Sequence, residues 1–295
     1  MTAELGFGCS GAWALPVTPR AQAIRLVLRA IERGVRVFDT APFYAGGEAE
    51  RRLGAALKEA GSAAENIFIC TKTGTQTDHL GRKRKDFSPA AIRADAERSL
   101  RSLGRERIDL LFLHGPAPEQ TGSALSTLDA LKREGKIAAA GVCGAGPELA
   151  HAVETGAIEA VMAPYNILHR EHEPAFAAAK SAGMQTFAAA PLAQALYRAA
   201  LFAPRSGADL WYLARAVAKN RAELARARRL SAAPVPEGWT RAQLALAYAA
   251  GSPHVDVAVV STTRIAHLDE ATAALEREAP PGALAAFLAM LDRGP

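Results

Sequence analysis

The feature that most constrains this chain is one alternation repeated eight times. A short, nearly continuous apolar run ends on a polar or small residue and gives way to a stretch of helical period. The runs are Leu5–Cys9, Val35–Phe38, Asn66–Lys72, Ile108–His114, Lys136–Cys143, Ile158–Ala163, Met184–Ala189 and Val255–Val260. Strands apolar on both faces belong to a parallel sheet covered by helices. The helices expected between them are Ala21–Arg33, Glu48–Ala60, Ser88–Leu103, Gly122–Glu134, Pro147–Glu154, Glu173–Ala182, Thr240–Ala250 and Arg264–Leu275. Thr18 reads as the cap of the first, with Pro19 at its first helical position. Eight such units in 295 residues predict an α/β fold of one specific kind, a single-domain (β/α)8 TIM barrel over 1–295. Two departures from the rhythm are expected. Residues 195–238, including a long Ala/Arg helix at Asp209–Leu230, form a helical insertion on the active rim before the seventh barrel helix, and Gly282–Leu291 forms a C-terminal helix.

The composition removes several classes. Half of the chain is hydrophobic (49%), enough for a sizeable core, so global disorder is excluded. The net charge of +5 favours anionic small molecules, but aromatics at 6% are too sparse for the basic–aromatic interleaving of a nucleic-acid binder. Three cysteines, Cys9, Cys70 and Cys143, do not make a disulfide framework. No apolar run reaches a membrane span, and the N-terminus carries no secretory pattern, so a cytoplasmic protein with a small-molecule partner is expected.

In a barrel of this kind the strands' C-terminal ends form the active face. Asp39, Lys72 and His114 end consecutive strands, and Tyr44 follows Asp39 in its loop. A buried phenol is a poor acid at neutral pH. An ammonium beside it favours the phenolate and eases proton donation, and a carboxylate would hold that ammonium charged. A histidine nearby can orient a carbonyl oxygen or relay a proton. Singly, each residue reads more simply as a capping carboxylate, a rim charge or a hydrogen-bonded core histidine.

The residues Asp39-Thr40-Ala41-Pro42-Phe43-Tyr44, Gly47-Glu48, Leu53-Gly54, Thr71-Lys72, the segment from Ser99-Leu100 through Asp109 to His114, and Pro164-Tyr165-Asn166 together resemble the aldo-keto reductases. The resemblance runs from about residue 5 to about 276. It implies hydride transfer between a nicotinamide dinucleotide and an aldehyde or ketone, with Asp39, Tyr44, Lys72 and His114 as the catalytic tetrad and NADPH preferred over NADH. Trp13, with Tyr44 and His114, would line the substrate pocket, though Trp13 fits barrel-rim packing equally. The family's first-strand turn falls on Gly8-Cys9-Ser10, and Asp39 also faces the cofactor. Its pyrophosphate loop falls on Pro191, Leu192, Ala193 and Gln194. A phosphate site falls on Ser261, Thr262, Thr263 and Arg264, where hydroxyls meet a helix N-terminus and Arg264 can pair a 2′-phosphate. His267 stands where the family often has arginine. The family's Ser-Asn and Gln, which hold the nicotinamide carboxamide, correspond to Cys143, Gly144 and Met162, and Ala189 stands where a tyrosine usually stacks on the ring. Polar clamp and stacking platform are thus both thinned.

Two other readings use the same residues. One is a barrel that keeps the cofactor as a sensor with little turnover, motivated by the thinned clamp. The other is a non-redox lyase or isomerase using Tyr44 and Lys72 for acid–base work. Gly6-x-Gly8-x-x-Gly11 fits a dinucleotide fingerprint but opens no helix, since Trp13 and Pro16 intervene. His169 and His172 lack a third metal ligand and read as a solvated helix start, so no metal is expected. The run Gly81-Arg82-Lys83-Arg84-Lys85 follows the third strand and reads as an exposed loop or as an attractor of anionic substrates.

Overall fold

The computed structural model describes residues 3–77, 83–204, 210, 213–214, 216–218 and 221–292. Eight parallel strands close into a barrel: β1 (Glu4–Gly8), β2 (Val37–Asp39), β3 (Phe68–Thr73), β6 (Ile108–His114), β7 (Ile137–Cys143), β8 (Ala160–Pro164), β9 (Gln185–Ala189) and β10 (Val257–Val260). β1 closes the ring by pairing with both β2 and β10. The strands missing from that sequence, β4 (Thr75–Thr77) and β5 (Lys83–Lys85), make a small antiparallel hairpin after β3. This replaces the open loop expected at the basic run, of which Gly81 and Arg82 lie outside the described residues.

Alternate residues of each strand face the interior. Val37, Cys70, Leu110, Phe112, Ala160, Met162, Phe187, Val257 and Val259 fill it, with Phe112 and Phe187 packed edge to face at 5.5 Å. One inward position further along, the same strands present Asp39, Lys72 and His114. The apolar interior is therefore the floor on which the polar rim stands. On β1 the inward positions are glycines for a packing reason. A Cβ on Gly6 would lie 2.9 Å from Val257 Cγ1, and one on Gly8 would lie 2.4 Å from Ser261 Oγ.

The outer layer is helical: α1 (Arg20–Glu32), α2 (Glu48–Ala60), α3 (Pro89–Leu103), α4 (Pro118–Arg133), α5 (Pro147–Thr155), α6 (Glu173–Ser181), α9 (Arg241–Ala250) and α10 (Ile265–Leu275). Ser88 caps α3, its hydroxyl accepting the Ala91 N–H at 3.3 Å with Pro89 next in line. Thr18 does not cap α1. Pro19 occupies the cap position without a side-chain bond, and Thr18 is buried with its carbonyl accepting from Arg52 at 2.9 Å. α4 starts four residues earlier than expected, because Pro118 opens it and Gln120 bonds back to the Ala117 N–H.

Between β9 and α9 lie α7 (Ala199–Phe202) and α8 (Arg221–Ser231); Asp209 of the expected long helix falls outside the described residues. These helices share a separate apolar cluster with the C-terminal α11 (Ala283–Asp292) and with Ile167, Leu168 and Leu196, beyond the ends of β8 and β9. Arg226 donates to the Leu168 carbonyl at 2.9 Å. The insertion therefore packs on the rim carrying the strands' C-terminal ends. No helix among the described residues is long and apolar enough to cross a membrane.

Candidate active site

Asp39 ends β2 and Lys72 lies on the neighbouring β3, so the barrel sets carboxylate and ammonium side by side. Lys72 Nζ donates to Asp39 Oδ1 at 2.5 Å and to the Thr40 carbonyl at 2.9 Å, and both side chains are buried. Burial alone would favour neutral lysine. The adjacent Asp39 outweighs that cost, with help from Tyr44, and holds the ammonium charged well above its ordinary range. Tyr44 is half-buried in the turn before α2, its ring centroid 5.1 Å from Lys72 Nζ. Burial raises its phenol to about 12 against the pull of Lys72, with Asp39 and Cys143 adding to the rise. The expected lowering by lysine is present but loses to desolvation. His114 ends β6, and its ring packs on Phe43 at 5.1 Å.

These four side chains meet in one cavity of about 620 Å³, a size suited to a small-molecule ligand. Ser10, Cys143, Gly144, Met162, Ala189, Pro191, Leu192, Gln194 and Ser261 line it as well. Ser10 and Ser261 share a hydrogen bond at 3.1 Å. The loop after β9 enters the cavity with unusual backbone: Ala190, Ala193, Gln194 and Ala195 all have positive φ. Non-glycine residues in that region store strain, which clusters at ligand-binding segments.

Several expected contacts are elsewhere. Trp13 does not line the cavity. It is 1% exposed, packs edge to face on Phe7 at 6.0 Å, and donates its indole N–H to the Ala23 carbonyl. Cys9 is wholly buried between β1 and the helices. Gly8 is filled in by Ser261, as described above. Thr262, Thr263, Arg264 and His267 lie outside the cavity wall, around the start of α10: the Thr262 hydroxyl accepts the Arg264 N–H at 3.1 Å, and the Thr263 carbonyl accepts from Gln22 at 2.7 Å. His172 is not solvated. Its two ring nitrogens meet the Pro164 carbonyl at 3.0 Å and the Gly146 N–H at 3.3 Å, tying together the loops after β7 and β8. No cluster of three or more metal-ligating side chains exists among the described residues.

A model of the family described as "Aldo/keto reductase family" matches residues 5–288. The chain belongs to that family. Among curated relatives it is 37% identical over 121 residues to 6-dehydroglucose reductase of Agrobacterium fabrum, covering 38% of this chain and 40% of that one. It is 25% identical over 283 residues to L-galactose dehydrogenase of Arabidopsis thaliana, covering 92% of this chain and 83% of that one. The fold superimposes on the holo form of aldo-keto reductase AKR11C1 from Bacillus halodurans with a TM-score of 0.80 at 24% identity, covering 99% of this chain and 93% of that one.

Where β7 and β8 end, the cavity wall carries Cys143, Gly144 and Met162. Cys143 pairs with Met162 across the two strands, and burial pushes the Cys143 thiol up to about 11, leaving it neutral. Three further lining residues were not among the expected site residues, although Lys85 belongs to the basic run read above as an exposed loop or an attractor of anionic substrates. Thr75 and Lys85 come in on the hairpin, Lys85 donating to the Gly115 carbonyl, and Glu148 comes in from the first turn of α5. An acid in a helix's first turn ordinarily reads as a dipole partner. The available clue to Glu148 was the small residue at 144.

Proposed function

We propose that the protein is an NAD(P)H-dependent oxidoreductase that moves hydride between nicotinamide and the carbonyl carbon of an aldehyde or ketone. The observation carrying this reading is the buried Lys72–Asp39 pair with the Tyr44 phenol beside it at the floor of the large cavity. The residues present suit a dinucleotide in part. The cavity volume, the Ser10 and Ser261 hydroxyls, the strained 190–195 loop and the start of α10 suit an extended ligand with phosphates. Bound nicotinamide supplies the hydride in reduction and takes it in oxidation.

The chain's own residues handle the proton. Tyr44 is protonated at neutral pH and donates to the carbonyl oxygen. Lys72 stabilises the phenolate left behind, Asp39 keeps Lys72 charged and in place, and His114 orients the oxygen. Arg264 and His267, beside the hydroxyls of Thr262 and Thr263, favour the 2′-phosphate of NADPH over NADH. The two curated relatives named above carry sugars in their names, so aldoses belong in the substrate panel. The uncrosslinked thiols suit a reducing, cytoplasmic setting.

The test supplies nicotinamide cofactor deuterated at the transferable position together with a panel of aldehydes, ketones and aldoses. Deuterium is expected on the carbinol carbon of the product, with a larger kcat/KM for the NADPH form. Substrate conversion without transfer of the label would remove the reading.

A further inference from the structure

Where β7 and β8 end, the cavity wall is made by Cys143, Gly144 and Met162, which bring no side-chain amide and no hydroxyl. One carboxylate nonetheless reaches this wall. Glu148, half-buried at the second position of α5, lines the cavity. It does so because residue 144 has no side chain. A Cβ at Gly144 would lie 2.7 Å from Glu148 Cγ and 3.4 Å from Oε1, so a larger residue there and this placement of Glu148 exclude each other. Oε1 accepts the Ala145 N–H at 3.2 Å, which fixes the carboxylate in orientation. Oε2 takes no hydrogen bond from a described residue. Asp39, the other carboxylate among the described lining residues, is held by Lys72.

An ionised carboxylate accepts hydrogen bonds and donates none, so its partner in the cavity must be a donor. The nicotinamide ring carries one such group, the –NH2 of its carboxamide. We infer that Glu148 is a cofactor-binding residue that accepts a hydrogen bond from this –NH2, in the space that Gly144 leaves open. The inference rests on the dinucleotide reading above. It also orients the ring: a carboxamide anchored at the start of α5 fixes how the ring lies beside Tyr44 and Lys72.

The test is a binding measurement. Dissociation constants are determined by calorimetry for the oxidised dinucleotide and for its 3-acetylpyridine analogue, in which a methyl replaces the –NH2 and the rest of the molecule is unchanged. Wild type should favour the amide by about tenfold or more, the scale of a hydrogen bond to a charged acceptor. Glu148→Ala should bring the ratio to within about twofold. Glu148→Gln, whose side-chain oxygen still accepts, should keep most of the preference, which also guards against mere loss of the α5 cap. If Glu148→Ala binds both ligands with the wild-type ratio, however weakly, Glu148 is only a helix cap and the inference is overturned. If wild type binds neither, the dinucleotide reading itself falls, a failure visible before any variant is made.

Discussion

Tyr44 carries the sharpest electrostatic consequence of the site. Its phenol is raised to about 12, because desolvation of the phenolate exceeds the stabilisation by Lys72. The protonated form therefore dominates through the neutral range and is lost only as pH approaches that value. In the reduction direction the proton donor is already loaded, so kcat should show no fall from this group between about pH 6 and 10. In the oxidation direction the phenolate must accept a proton, so kcat should climb by up to about tenfold per pH unit over the same range. Paired pH profiles measure this, and a reduction rate that falls through neutral pH would show that another group supplies the proton. The four side chains were legible in the sequence because each stands at or just after the end of an apolar run, where a barrel puts its active face. The sign of the tyrosine shift was not, since it is a difference between burial and a neighbouring charge, and only coordinates supply both. Trp13 was misplaced for a related reason: an indole after a first strand fits pocket or core equally until Phe7 and Ala23 are seen against it.

At the level of elements, the Leu53-Gly54 pair has a structural explanation. α2 crosses α3 so closely that a Cβ on Gly54 would lie 2.3 Å from the Ser102 carbonyl oxygen and 3.0 Å from Leu103 Cα. These are backbone atoms that no rotamer change relieves. Gly54→Ala should cost about 1–3 kcal/mol by forcing the two helices apart. Denaturant titration of the variant checks it, and an unchanged midpoint would mean the crossing yields freely. The helix start expected at Ser88 is met by a local cap, whereas the Thr18-Pro19 cap is not formed, because Thr18 is buried and its carbonyl is taken by Arg52. The β4–β5 hairpin and the entry of Glu148 were not legible in the sequence: a run of like charges reads as a solvated loop, and an acid in a helix's first turn reads as a dipole partner.

Over the whole molecule, the eightfold alternation was enough to define the barrel, because strands apolar on both faces admit few other arrangements. The closed order β1-β10-β9-β8-β7-β6-β3-β2 then carries Asp39, Lys72 and His114 to one rim without any sequence-local relation between them. Of the residues expected to hold a phosphate, Ser261 lines the cavity, whereas Thr262, Thr263 and Arg264 lie around the start of α10 outside its wall, as strand-end counting resolves the rim and not its depth. The most direct test of the account is to follow reduced cofactor by absorbance in wild type and Tyr44→Phe, with dinucleotide affinity measured in parallel. The account predicts carbonyl-dependent oxidation by wild type and a loss of about 10²-fold or more in kcat in Tyr44→Phe, with dinucleotide affinity nearly unchanged. Wild-type turnover in Tyr44→Phe would contradict it.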